Sequence, residues 1–419
     1  ESNPLNRRFA NSLAYQQRNL YRKHVISTLA QAQHIPSYGF PIDVNSLKVY
    51  DNKSDQDPFI REDESINLSR QGAMSISEYA PGRPVYVMGR TEISRGIMKH
   101  WTGANIPDEA FGESRNFAEC NFGHFSHWVG EQDKCDVCGI SIQGSVGQLL
   151  IPSHGFSTQA QGRSQSDPPG SQHKIESLTT SFQEEFLSTQ PKTFLPGFSN
   201  VVYHYRGDGE LFVLNRGLKV VGFAICSKCG YSDSESTLAT GFSDLPSGFI
   251  EHVGLNDTRR RKFPVHCLDG NSAGPPLRNR TLAARTITDM LTLDLSSIDV
   301  KHISSPNIVL TVSLALRRSA AELLQLDSRE IGALVVPMTQ GTYAPLIYDD
   351  VPGGAGHVAQ LFNDESISKE WISRANNILY GGEKHHATCL KSCIDCVLSF
   401  ETQSFQNLNR TAAYKCLTE

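Results

Sequence analysis

The spacing of the cysteines constrains this chain more than any other feature of its sequence. Nine of its ten cysteines fall into three groups, and a C-x-x-C step recurs among them. A C-x-x-C step lets two thiolates turn onto one ion, whereas a disulfide framework belongs to small secreted domains. At 419 residues, 39% of them hydrophobic, the chain can bury a large core without disulfides. The pattern therefore predicts metal sites in a reducing compartment.

The first group lies in the stretch "CNFGHFSHWVGEQDKCDVCG". Zinc takes four thiolate or imidazole ligands in a tetrahedron, and this stretch offers five. We assign Cys120, His124, Cys135 and Cys138 as the ligands, with His127 as the alternative to His124.

The second group combines "CSKCG" with "FPVHC" further along the chain. It supplies three thiolates, from Cys226, Cys229 and Cys267. Neighbouring residues on a strand point to opposite sides, so His266 and Cys267 do not face one ion easily. The fourth ligand is therefore left open between His252 and His266.

The third group lies near the C-terminal end, in "CLKSCIDCVLSF". Cys389, Cys393 and Cys396 follow directly after His385 and His386. Zinc is preferred over an iron–sulfur cluster, a redox pair or a nucleophilic cysteine, because iron–sulfur clusters usually need four cysteines and the other two groups have zinc-type spacing. His386 is one candidate for the fourth ligand. Two to three zinc ions are expected, and closed sites with four protein ligands are structural.

The rest of the sequence predicts an α+β (mixed α/β) fold, with a small β-rich N-terminal part before a zinc-bound α/β domain. We expect an N-terminal helical unit over residues 1–35 and a β-rich domain with the first zinc group over 36–152. A Ser/Gln/Gly-rich mobile linker is expected over 153–170, followed by the α/β domain over 171–419. In that domain, helical spacing marks "NIVLTVSLALRRSAAELLQL" as a buried helix.

A glycine turn stands between a predicted strand and a predicted helix in "IYDDVPGGAGHVAQLF". Gly353, Gly354 and Gly356 allow positive φ and close backbone approach. We expect a tight turn against the third metal site, with Asp350 bound by backbone N–H groups. An anion site at the helix N-terminus is one alternative, and a metal-dependent nuclease site of Asp349, Asp350 and His357 is another.

The net charge of −5 gives no overall attraction to nucleic acid, so any such surface must be local. The clearest basic run consists of Arg259, Arg260, Arg261 and Lys262. Contact with phosphates is one interpretation of this run, and a solvated loop is the other. No apolar run approaches the roughly 18–20 residues that a membrane span requires.

The motifs "YDDVPGGAGHV", "CLKSCIDCVLSF" and "LNR" at Leu408–Arg410 together resemble the C-terminal zinc-binding (MZB, MrfA-type) region of superfamily 2 DNA helicases. The resemblance extends over most of the chain from Pro36 onward. The chain departs from the family pattern at Ala387, where the family has its first cysteine, and at Gln406, where the family has a histidine.

This resemblance implies an accessory region of an ATP-dependent DNA helicase in anti-phage defence, as in DISARM or Druantia systems, or in DNA repair. No G-x-x-x-x-G-K-[ST] loop occurs in the sequence, so the motor is expected elsewhere. The expected partners are DNA, a helicase motor domain and subunits of a defence complex, in the cytoplasm and without a membrane. A scaffold with structural zinc and no DNA contact is the alternative, and a nuclease is the least favoured reading.

Overall fold

The computed structural model describes most of the chain from residue 44 onward. The described residues are 44–51, 59–99, 110–127, 130, 133–135, 137–142, 146–160, 175–179, 192–193, 202–255, 257–259, 265–268, 275–295, 300–338, 341–389, 391–399, 402 and 407–418. The N-terminal helix predicted within residues 1–35 lies outside these ranges.

The strands, in chain order, are β1 (Val44–Lys48), β2 (Tyr50–Asp51), β3 (Arg61–Glu62), β4 (Leu68–Gln71), β5 (Pro84–Val87), β6 (Arg90–Ile97), β7 (Gly112–Glu119), β8 (Phe125–His127), β9 (Val146–Pro152), β10 (Phe156–Thr158), β11 (Ile175–Thr179), β12 (Lys192–Thr193), β13 (Val202–Asn215), β14 (Phe223–Ile225), β15 (Ser232–Ser234), β16 (Leu277–Asp294), β17 (Ile331–Pro337) and β18 (Tyr343–Asp349). The helices are α1 (Gly72–Glu78), α2 (Ser247–Ile250), α3 (Val300–Ile303), α4 (Pro306–Leu324), α5 (His357–Asn363), α6 (Glu365–Tyr380), α7 (Glu383–Thr388) and α8 (Arg410–Thr418).

Two main sheets organise the described residues. A five-stranded sheet has the order β4-β1-β10-β6-β5, and an eleven-stranded sheet is centred on the long strands β13 and β16. β13 and β16 pair antiparallel along most of their length. β16 also pairs with β9 in parallel and with β18 antiparallel, so it joins the early and late parts of the chain.

The largest core lies between β16, β18 and the helices α4, α6 and α8. α4 begins with Pro306 at its first turn, where the absent N–H costs nothing. α6 begins after Asp364, whose carboxylate accepts from the N–H groups of Ser366 and Ile367. Trp371 of α6 is fully buried, and its indole N–H donates to the carbonyl of Leu316 at 2.8 Å. This bond fixes α6 against α4.

The fold class agrees with the mixed α/β prediction, and the expected domain limits stay a prediction. The expected linker over 153–170 contains β10, a buried strand that pairs with β1 and β6, while residues 161–170 lie outside the described part. The expected limit at residue 152 also separates β9 from β16, which are neighbours in one sheet. Spacing within a segment cannot reveal such pairing, because the partners are far apart in sequence.

Within the described residues, no helix is both long enough and apolar enough to cross a membrane.

Candidate metal centres

The first metal centre forms where β7 ends. Cys120 follows β7 directly, His124 precedes β8, and Cys135 and Cys138 come from the next turn. The Cys120 Sγ atom lies 3.2 Å from His124 Nδ1 and 3.7 Å from the Cys138 Sγ. Thiolates around a tetrahedral zinc ion lie roughly 3.8 Å apart, given a Zn–S distance of about 2.3 Å. The four donor atoms therefore fit one zinc ion, while the side chain of His127 lies outside the described part of the structure.

The other ring nitrogen of His124 fixes its orientation. His124 Nε2 donates to the carbonyl oxygen of Met338, at the end of β17, over 3.0 Å. Metal-bound histidines usually donate their second N–H to a carbonyl or a carboxylate in this way, which sets the tautomer. The bond also attaches the first centre to a strand more than 200 residues later in the chain.

The second metal centre resolves the choice that the sequence left open. Cys226, Cys229, His252 and Cys267 place their donor atoms within 4.8 Å of one another. His252 Nε2 lies 3.3 Å from the Cys229 Sγ, and its Nδ1 donates to the Phe249 carbonyl at 2.5 Å. His266 instead donates its Nδ1 hydrogen to the Glu251 carbonyl at 2.6 Å. The structure thus brings His252 to the three thiols and leaves His266 outside the group.

The third metal centre uses two elements, the helix α7 and the turn that follows it. His385 and Cys389 are four residues apart on one helical face, at the end of α7. Cys393 and Cys396 complete the group, with their Sγ atoms 3.8 Å apart. His385 Nε2 lies 3.8 Å from the Cys393 Sγ, so the imidazole near this group is that of His385. The side chain of His386, named in the sequence analysis, lies outside the described part.

Burial disfavours the thiolate form of several of these cysteines. Burial raises the pKa of Cys135 to about 11 and that of Cys396 to about 11. It also raises the pKa of Cys229 well above its usual range. A zinc ion would compensate the charge of the thiolates, so binding would release protons and contribute directly to folding. Each group fills all four positions with protein ligands, as structural zinc sites do.

Lysine ammonium groups stand near the second centre. Lys99 donates from Nζ to the Ser227 carbonyl at 2.6 Å, and Lys228 donates to the Cys267 carbonyl at 3.3 Å. Burial lowers the pKa of Lys99, while the three nearby thiols oppose this effect. Lys99 follows β6 of the five-stranded sheet, so this contact ties the second centre to that sheet.

The glycine turn differs from the expectation that backbone N–H groups bind Asp350. Asp349, rather than Asp350, accepts hydrogen bonds from backbone N–H groups, namely those of Ala355, His357 and Val358, at 2.7, 3.2 and 3.0 Å. The Asp349 side chain is fully buried, whereas Asp350 is exposed. Asp350 follows the last residue of the strand, and strand alternation directs its side chain to the opposite side.

The glycine turn was expected to pack against the third metal site, but it packs against a different part of the fold. It packs on β16, where the Gly353 N–H donates to the Ile287 carbonyl at 2.8 Å. The third metal centre lies instead against α4 and α8, through Arg318 and Arg410. Because both Asp349 oxygens already accept backbone hydrogen bonds, the carboxylate serves the turn, and the geometry does not favour the nuclease alternative.

Asp289 on β16 is a residue that the sequence analysis missed. Its Oδ1 accepts a hydrogen bond from the Tyr205 hydroxyl at 2.7 Å, and the turn covers it at Gly354. Burial raises the pKa of Asp289, and the neighbouring Asp349 raises it further. No sequence signal marks this residue, because an isolated aspartate in a strand is brought to the turn only by sheet pairing.

Of the basic run, only Arg259 belongs to the described residues, where it is exposed. Arg260, Arg261 and Lys262 lie outside them.

Comparison with known proteins finds similarity to a zinc-binding domain in the C-terminal part of the chain. The family model of the MrfA Zn-binding domain (MZB) matches residues 312–397. The Druantia protein DruE of Escherichia coli (strain UMEA 4076-1) is 24% identical over 409 residues, covering 89% of this chain and 20% of DruE. The chain thus spans about a fifth of the length of that curated relative.

Two crystal structures of the DUF1998 helicase MrfA also align with the chain. The one bound to DNA has a TM-score of 0.35 at 10% identity, covering 85% of this chain and 32% of MrfA. The one bound to DNA and AMPPNP has a TM-score of 0.30 at 8% identity, covering 89% and 31%. The segment that closes the third metal centre lies within the match to the MrfA Zn-binding domain, and the family resemblance inferred from the sequence is thereby confirmed.

Proposed function

We propose that this chain is the zinc-bound accessory region of an ATP-dependent DNA helicase, and that it contacts DNA or partner subunits while a motor elsewhere hydrolyses ATP. One observation carries the proposal: the four donors of the third centre, His385 to Cys396, fall inside the segment that matches the MrfA Zn-binding domain. The similarity to DruE supports a proposed setting in anti-phage defence, with DNA repair as the second proposed setting. The proposed location is the cytoplasm.

The metal centres give this region a rigid surface. Zinc, when bound, supplies cross-links between segments that are distant in sequence. The first centre joins β7 and β8 to the end of β17 through His124 and Met338. The second joins the two sheets, since the Ile97 N–H donates to the Gly230 carbonyl at 3.0 Å beside it. A surface held this way loses little conformational entropy on binding DNA or a subunit.

The test measures DNA binding by the purified, zinc-loaded chain across a salt series. Fluorescence anisotropy with labelled oligo-dT and with a duplex of equal length gives the affinity at each salt concentration. Contact with several phosphates should weaken binding steeply as salt rises, with a slope of about −0.9 per contacted phosphate for duplex and about −0.7 for single strands. No binding of either probe at low salt would remove the DNA-contact part of the proposal.

The alternative function is that of a protein scaffold, which binds partner proteins and does not contact DNA. It predicts that the chain captures a helicase motor protein in a pull-down although it has no affinity for either DNA probe. Capture that requires DNA, and is lost after nuclease treatment, would contradict the scaffold.

A further inference from the structure

An exposed face near the N-terminal sheet combines an aromatic ring with two guanidinium groups from distant parts of the chain. Phe59 forms an antiparallel bridge with Arg259, although 200 residues separate them. Arg61 lies two residues after Phe59, at the start of β3. All three residues are exposed, and Phe59 keeps 47% of its surface in solvent.

The type of pairing brings the Phe59 and Arg259 side chains close together. The Ile60 N–H donates to the Thr258 carbonyl at 2.7 Å, one residue beyond the bridge on each side. This pattern makes Phe59 and Arg259 a non-hydrogen-bonded pair, the kind with Cα atoms only about 4.5 Å apart. Cross-strand partners of this kind have neighbouring side chains on one face.

Alternating burial shows which face this is. Ile60 is 4% exposed and packs with Tyr50 and Ala160 in a small core cluster. Phe59 and Arg61 flank Ile60 and are both exposed, as expected for an extended segment with one face inside. The face that carries Phe59, Arg61 and Arg259 therefore points to solvent. The opposite face of the segment is held by the packing of Ile60 in the core cluster.

Phe59 is 47% exposed and does not belong to the buried cluster of Tyr50, Ile60 and Ala160. Its flat face can stack on a nucleobase, and adjacent guanidinium groups can contact the phosphates on either side. Acidic groups limit the local positive charge: Asp257 accepts from the Arg259 backbone N–H at 3.2 Å, and Glu62 pairs with Lys48 at 2.5 Å. Stacking, rather than charge alone, is thus the main attraction that this face offers.

We infer that Phe59, Arg61 and Arg259 form a stacking site for single-stranded DNA, an inference that rests on the proposed DNA contact. Bases in a duplex hide their faces in the stack, whereas bases of a single strand expose them. The site therefore binds unpaired bases without reading their sequence, because every base has a π face.

The experiment compares variants of the full, zinc-loaded chain by anisotropy with labelled oligo-dT of about 20 nucleotides and with a blunt duplex of the same length. Phe59→Ala should weaken oligo-dT binding about tenfold and leave duplex binding within about twofold. Phe59→Trp should retain oligo-dT affinity, since indole also stacks. Arg259→Ala should reduce the steepness of the salt dependence by about 0.7, the value of one phosphate contact on a single strand.

Phe242→Ala is the matched control, because Phe242 is similarly exposed, at 55%, on a separate loop. It should leave binding of both probes unchanged. Zinc content and thermal unfolding of each variant verify the fold. If the unaltered chain binds oligo-dT and Phe59→Ala binds it equally well, the stacking site is wrong while the proposed DNA contact stands. Equal loss of oligo-dT and duplex binding also overturns the stacking site, and no binding of either probe by the unaltered chain overturns both proposals.

Discussion

The guanidinium of Arg410 donates from Nε to the carbonyl oxygen of Cys389, a donor residue of the third metal centre, over 3.0 Å. The Arg410 side chain is fully buried and also donates to the carbonyls of Leu379 and Tyr380. Those two carbonyls end α6, where the helix dipole favours a positive charge. One buried cation therefore connects α6, the metal centre and α8.

Replacing Arg410 with methionine should destabilise the fold strongly. The change leaves three carbonyl groups without the donor they now share, at a cost of about 1–3 kcal/mol for each group left unsatisfied. We expect the free energy of unfolding in urea to fall by roughly 3 kcal/mol. Arg374→Met is the control, since Arg374 pairs with Glu370 in an exposed i,i+4 ion pair on the same helix. It should change stability by less than about 0.5 kcal/mol; an equal effect of both variants would refute the role assigned to Arg410.

Metal analysis of the purified chain should find two to three zinc ions and no visible absorption, because zinc has a filled d shell. Cys396→Ser should reduce the zinc content by one, as should Cys229→Ser independently. Cys416→Ser is the control, since Cys416 is buried in the main core outside the three groups. A brown protein containing iron would contradict the assignment of the third centre.

Zinc should leave the third centre before the other two when a chelator is added. Three of its four donor residues are half-buried, whereas three of four are fully buried in each of the other centres. A chelator reaches an exposed ligand set more readily, so release should show a fast phase of one ion. Absorbance of a zinc indicator follows the release. The variant Cys396→Ser should lack the fast phase, and its persistence in that variant would assign the phase to another centre.

The glycines of the turn allow a controlled test of close packing. A Cβ atom on Gly354 would lie 2.4 Å from a carboxylate oxygen of Asp289, while one on Gly353 would meet nothing within 4 Å. Both residues have positive φ, so alanine costs about 1–2 kcal/mol of conformational strain at either position. Gly354→Ala should cost roughly 2 kcal/mol more than Gly353→Ala in urea unfolding, because the turn must also move. Equal losses of unfolding free energy in the two variants would mean that the turn moves away from Asp289 without a measurable energetic cost.

Asp289 makes stability depend on pH. Burial raises its pKa above the ordinary value of 3.8. A carboxyl group whose pKa is higher in the folded state than in the unfolded state stabilises the fold below the unfolded pKa, and this contribution is lost as the pH rises through the folded pKa. The Asp289→Asn side chain does not ionise, so the variant does not lose this contribution to stability as the pH rises. The amide oxygen of the new side chain can still accept a hydrogen bond from the Tyr205 hydroxyl. The melting temperature of the variant, relative to the unaltered chain, should therefore be higher near pH 7 than near pH 4. A difference that does not change with pH would contradict this assignment.

Local patterns in the sequence were sufficient where the chemistry is local. The C-x-x-C steps predicted the thiolate pairs, and 3.6-residue periodicity predicted the buried helix that is α4. Local sequence patterns could not choose between two candidate residues of the same type that lie near each other in sequence. His252 joins the second group because its ring faces Cys229, and Asp349 rather than Asp350 binds the turn because it faces inward at the end of β18.

By itself, the sequence determined that the chain would contain three groups of zinc ligands, a mixed α/β fold and a resemblance to MrfA-type helicase regions, because ligand spacing and hydrophobic periodicity are properties of short segments. Only the tertiary structure decided which histidine completes the second group, that β9 and β16 share a sheet across the expected domain limit, and that Phe59 stands beside Arg259. The last two depend on segments that are far apart in the chain, and backbone pairing between such segments leaves no mark on the spacing of residues within either one.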